Sequence, residues 1–155
     1  MNYFERFLSL SERAAATHEL AALGGQAIPI LESLFNGSAK NAFGIPYSKT
    51  GAIGCGFVTV KFLGPVAKTL ENYVREGIEQ DHLYAIEAAG YLSEIEQETA
   101  FALARALIRH PASEASASLI RCGYSENSKV LEIIGLNSMA YKNLEKIKAY
   151  ISSKT

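Results

Sequence analysis

Cysteine is scarce in this chain. Cys55 and Cys122 lie far apart, outside any C-x-x-C or Cys/His ligand spacing, which excludes a disulfide framework and a zinc site as readings of the sequence. Two reduced, mostly buried thiols are expected. Proline is rare too. Four prolines and 12 glycines in 155 residues, 48% of them hydrophobic, exclude the low-complexity composition that keeps chains disordered. That length suits one domain, residues 1 to 155, burying roughly two-thirds of the surface its unfolded form would expose.

Long apolar runs are missing. The longest, "AIGCGFVTV" from Ala52 to Val60, stops at Lys61, well short of the roughly 20 residues that cross a bilayer, so no membrane span is expected. The start, "MNYFERFLSLSERAAA", places Glu5 and Arg6 where a secretory peptide needs a basic start and an unbroken apolar core. A cytoplasmic protein is expected.

Signatures of chemistry are missing as well. "GIPYSKTGAIGCG" invites a phosphate-loop reading, but Gly44 is followed by four residues before Lys49, and Ser48 stands where the second glycine belongs. Gly51, Gly54 and Gly56 then read as permitting close packing or local disorder, in a segment, 44 to 56, that could be loop or helix. His18, His82 and His110 fall in separate segments without the i, i+4 companion of a helical zinc pair. No serine, cysteine or threonine carries a local nucleophile signature of the G-x-S-x-G kind. The expectation is a non-enzymatic protein with no cofactor and no metal.

What is present is helical periodicity. In "AFALARALI", Ala100, Leu103, Ala104, Leu107 and Ile108 form one stripe, with Arg105 and Arg109 outside it. Segment 82 to 92 is apolar nearly all round, Leu83, Ile86 and Ala89 on one side and Tyr84, Ala88 and Leu92 on much of the rest, so it is expected to be covered on several sides. "LGGQAIPILESLFNG" from Leu23 and "LGPVAKTLENYVREG" from Leu63 match at a spacing of 40. Each has a glycine ending one helix, a proline (Pro29, Pro65) in or near the first turn of the next, and a glycine (Gly37, Gly77) stopping that one. The spacings predict helix pairs at 11 to 37, 47 to 77, 80 to 110 and 113 to 135. Phe4, Phe7 and Leu8 would close one end, and 138 to 152, with Ala140, Leu144, Ile147 and Ile151 on one face, would cap the other. "FVTVKF" (57 to 62) is β-branched enough for a strand, but one strand would have nothing to pair with.

The pattern "LAALGGQAIPILESLFNG", with its Gly-containing turn and a repeat of 30 to 40 residues, resembles the HEAT-type α-helical repeats over residues 11 to 135, departing from them by a Gly-rich insertion at 38 to 62. The resemblance implies an all-α fold, a short α-solenoid of about four helix pairs with terminal caps. Some small bacterial proteins of this type resemble immunity proteins of contact-dependent or polymorphic toxin systems. It therefore also implies a protein-binding role, with a toxin domain as the partner.

Charge is unevenly distributed. Residues 1 to 70 carry +2, 71 to 98 carry −7 and 99 to 155 carry +4. Carboxylates near helix N-termini gain ~0.3–1 kcal/mol each from the macrodipole, and Glu71 can pair with Arg75 at i, i+4. The excess, in two groups, Glu76, Glu79 and Asp81, then Glu94, Glu96 and Glu98, predicts a binding surface for a basic protein such as a nuclease toxin. Tyr47 and Lys49 are further candidate contacts from the Gly-rich loop. Nucleic acid is not an expected partner, because Lys and Arg are scattered. A scaffold or regulatory subunit, or a small enzyme with a site between helices, are the alternatives.

Overall fold

The computed structural model describes residues 2–154, and it is all-helical: among these residues the only β-type pairing is an isolated bridge between Lys40 and Pro46. The helices are α1 (Tyr3–Phe7), α2 (Arg13–Ala22), α3 (Ala27–Phe35), α4 (Ala52–Leu63), α5 (Glu71–Glu79), α6 (Leu83–Ala89), α7 (Gln97–Arg109), α8 (Ala115–Arg121), α9 (Ser128–Ile134) and α10 (Met139–Ser153). Local chemistry sets many of the ends. Asn2, Asn127 and Ser138 cap α1, α9 and α10 by accepting backbone N–H bonds at 2.8, 3.1 and 3.0 Å. Gly37 and Gly135, both at φ +79°, end α3 and α9 in a left-handed residue that costs glycine little.

Two series of packing contacts run along the chain. In one, α2 packs on α4, α4 on α6, α6 on α8 and α8 on α10; in the other, α5 packs on α7 and α7 on α9. The 3-10 stretch Gly64–Leu70 joins α4 to α5 and touches α3. Between the two series lies a continuous core that includes Leu20, Leu31, Leu34, Phe57, Ile78, Ile86, Leu103, Leu107, Leu119 and Leu144, each at 1% exposure or less.

"FVTVKF" lies wholly inside α4, as the absence of a pairing strand implied; Phe57, Thr59 and Val60 are buried there and the Thr59 hydroxyl donates to the Cys55 carbonyl at 2.8 Å. Tertiary burial outweighs strand propensity there. Other expectations are corrected by the packing. Gly77 does not stop a helix. It sits inside α5, where an added Cβ would come within 2.6 Å of Phe57 Cζ and 2.7 Å of Ala85 Cβ, so its role is the close approach of three helices. The helix covered on several sides is α7, whose Thr99, Ala100, Ala102, Leu103, Ala104, Ala106 and Leu107 are all buried. Ile108, expected on its buried stripe, is 45% exposed, and on α6 Leu83 and Tyr84 face solvent at 61% and 53%. By length and composition the continuous helical run Ala52–Glu79 could cross a membrane, but 44% of its most apolar window is buried inside the protein and Gly64 breaks its backbone at φ +61°. Its Phe57, Val60, Ala67, Leu70, Val74 and Ile78 belong to the core.

Candidate functional site

The carboxylates of 71 to 98 divide into two kinds. The N-terminal residue of α5, Glu71, is only 4% exposed. It accepts hydrogen bonds from Lys68 Nζ, from the Thr99 hydroxyl at 2.6 Å and from the Glu96 backbone N–H at 2.7 Å. Burial pushes this carboxyl up, and the bonds from Lys68, Thr99 and Glu96 more than offset it, leaving it below its ordinary range. The expected Glu71–Arg75 pair is present at 3.9 Å, yet Arg75 turns chiefly to α7, donating to Thr99 Oγ1 at 3.0 Å and Glu96 at 2.6 Å. Glu71 thus ties α5 to the start of α7. Its role as a buried hub was not visible in the sequence, where only its spacing to Arg75 stood out.

Three of the six candidate interface carboxylates belong to the same internal pairing. Glu79 pairs with Arg105, Glu96 with Arg75, and Asp81 with Arg109 at 2.7 Å and His110 at 3.4 Å. Asp81 occupies the left-handed turn between α5 and α6 at φ +61°, a conformation aspartate tolerates better than most residues. The hydrogen bond from Arg109 holds its carboxyl below its ordinary range. The remaining three, Glu76, Glu94 and Glu98, are exposed. Among the described residues none of them has an ion-pair partner.

The two loop candidates also separate. Tyr47 is 3% exposed, its ring 5.3 Å from Phe4 and its hydroxyl donating to Glu5, so it anchors the loop to α1 and is not a surface contact. Lys49 is exposed and lines, with Glu76, a cleft of about 320 Å³ walled by Phe35, Ile53, Phe57, Tyr73 and His82. Phe35 stacks on Phe57 and Tyr73 at 4.9 and 5.7 Å, and His82 lies 5.0 Å from Phe57. Burial pushes the His82 imidazole below its ordinary range. Its Nδ1 is buried without a hydrogen-bond partner among the described residues. The other histidines are placed by packing and charge: His18 stacks on Phe62 at 4.6 Å, and His110 sits beside Asp81.

Both cysteines are free and half-buried, with Sγ directed at the carbonyls of Phe7 (3.6 Å) and Ala89 (3.4 Å). Burial pushes the Cys122 thiol up to about 11, away from thiolate chemistry. Compared with family models, curated proteins and solved structures, the chain matches none.

Proposed function

We propose that this chain is a cytoplasmic, non-enzymatic protein-binding module, an immunity protein that neutralises a basic toxin domain through carboxylates its own helices leave free. In this reading the fold is a short α-solenoid of four HEAT-like pairs, α2/α3, α4/α5, α6/α7 and α8/α9, capped by α1 and α10. Support for the solenoid comes from the two series of packing contacts and from links that recur about one unit apart. These include Lys61–Glu87, Glu79–Arg105, Asp81–Arg109, Ser118–Ile86 and Cys122–Ala89, separated by 26, 26, 28, 32 and 33 residues.

The observation that carries the binding role is selective pairing. Arg75, Arg105 and Arg109 neutralise Glu96, Glu79 and Asp81, while Glu76, Glu94 and Glu98 stay exposed without partners. Helix capping explains one such group, Glu98 in the first turn of α7. It does not explain Glu76, which lies in the second half of α5, or Glu94, which precedes α7. A nuclease fits as the toxin class, because a site that holds phosphates is positively charged.

The test is capture from the cells that make the protein, at low salt, followed by titration of the purified partner. A basic protein should be recovered, and its affinity should fall as salt is raised. Reversing Glu76, Glu94 and Glu98 together to Lys should leave the helical circular-dichroism signal intact and slow association about tenfold or more. Equal association of the triple variant at low salt, or an acidic partner, would overturn the proposal.

A further inference from the structure

The acidic-surface reading takes one residue, Glu76, from the cleft where α3, α4, α5 and the loop from 38 to 51 meet, and leaves the rest of that cleft unexplained. Its volume of about 320 Å³ falls at the small end of the range that small-molecule sites occupy, ~300–1,000 Å³. Its walls are aromatic. Phe35 stacks on both Phe57 and Tyr73, its ring tilted 22° and 25° from theirs, and His82 meets Phe57 at 5.0 Å and 59°. Phe57 is buried, whereas Phe35, Tyr73 and His82 are only half-buried, so ring surface remains for a further flat group to lie against.

Two charges of opposite sign line the same cleft. Lys49 comes from the loop and Glu76 from the second half of α5; both are exposed, and among the described residues neither is ion-paired, to the other or to any third group. A simple anion or cation in the cleft would meet one like charge, whereas a molecule carrying both signs would meet two complementary ones. His82 adds no third charge at neutral pH, since burial holds its imidazole below its ordinary range. Its Nδ1 is one of two buried side-chain polar atoms without a hydrogen-bond partner among the described residues, the other being Ser116 Oγ. Buried polar groups are nearly always satisfied, so a residue walling this cleft carries one of the few demands that the fold leaves open.

We propose that the cleft binds a free aromatic α-amino acid, its ring against Phe35, Tyr73 and His82, its carboxylate on Lys49 and its ammonium on Glu76. The proposal shares Glu76 with the acidic-surface reading and does not rest on it, because Glu94 and Glu98 lie outside the cleft. The test is calorimetric titration of the purified chain with L-phenylalanine, L-tyrosine and L-tryptophan, beside three probes that each lack one feature: phenethylamine without the carboxylate, phenylpropionate without the ammonium, and L-leucine without the ring.

At least one aromatic amino acid should bind one to one with a Kd of about 1 mM or tighter. Each of the three probes should bind about tenfold or more weakly, through the loss of one charge-assisted hydrogen bond or of the ring contact. Glu76→Gln and Lys49→Gln, at exposed positions where substitution barely moves stability, should each weaken that amino acid about tenfold, while Glu94→Gln with Glu98→Gln should bind it as wild type does. No binding at that affinity by any of the three amino acids, a probe that binds as tightly as they do, or equal affinity of Glu76→Gln or Lys49→Gln would each overturn the proposal.

Discussion

The α5–α7 junction and the loop from 38 to 51 use polar groups in opposite ways. At the junction polar groups pair within the chain: Glu71 and Thr99 are buried and bonded to each other, and Arg75 reaches from Thr99 to the exposed Glu96 carboxylate. In the loop Asn41 and the backbone bond one another, Tyr47 turns inward onto Phe4, and Ala42, Phe43 and Ile45 turn out, so a Gly- and Ser-rich segment becomes a turn with Phe43 at its tip. Local composition reports which groups are present, and packing decides which of them a partner can reach.

The comparison predicts unequal costs. The largest is on the apolar side of the junction. Leu103, fully buried in α7, should cost about 2–5 kcal/mol when changed to Ala, measured by chemical denaturation, and a loss below about 0.5 kcal/mol would mean that α7 is not the centre of the packing.

Next is Glu71→Ala, which strips partners from the buried Thr99 hydroxyl and Glu96 N–H and should cost about 2–3 kcal/mol. The same carboxylate makes stability depend on acid. Its folded-state pKa lies below the unfolded value, so its contribution is complete above the unfolded carboxyl range, near pH 4–5, and is lost as pH falls through the folded value. Asp81, shifted the same way, adds to that slope. Denaturation of Glu71→Ala across this acid range should show a shallower decline than wild type, and parallel curves would remove Glu71 from the account.

Much of the helical framework was legible because its signals are local. The stop at Gly37, left-handed in the fold, and the Leu103 stripe each act within a few residues. The candidate site was legible only in part. The Arg105 and Arg109 partners of Glu79 and Asp81 lie 26 and 28 residues away, and only the stacking of α7 against α5 brings them there. Tyr47 looked like a loop contact because no local pattern reveals that Glu5, 42 residues earlier, accepts its hydroxyl. Gly77 read as a stop because the Phe57 and Ala85 atoms that exclude a side chain there come from two other helices.

Two matched double variants test the division into paired and unpaired carboxylates most directly, since each removes two negative charges from the same segment. Glu71→Gln with Glu96→Gln should lower the melting temperature by about 4–8 °C at neutral pH. Glu76→Gln with Glu94→Gln should change it by less than about 2 °C. Equal losses from the two pairs, or a larger loss from the Glu76 and Glu94 pair, would contradict the claim that the fold uses Glu71 and Glu96 and leaves Glu76 and Glu94 unpaired.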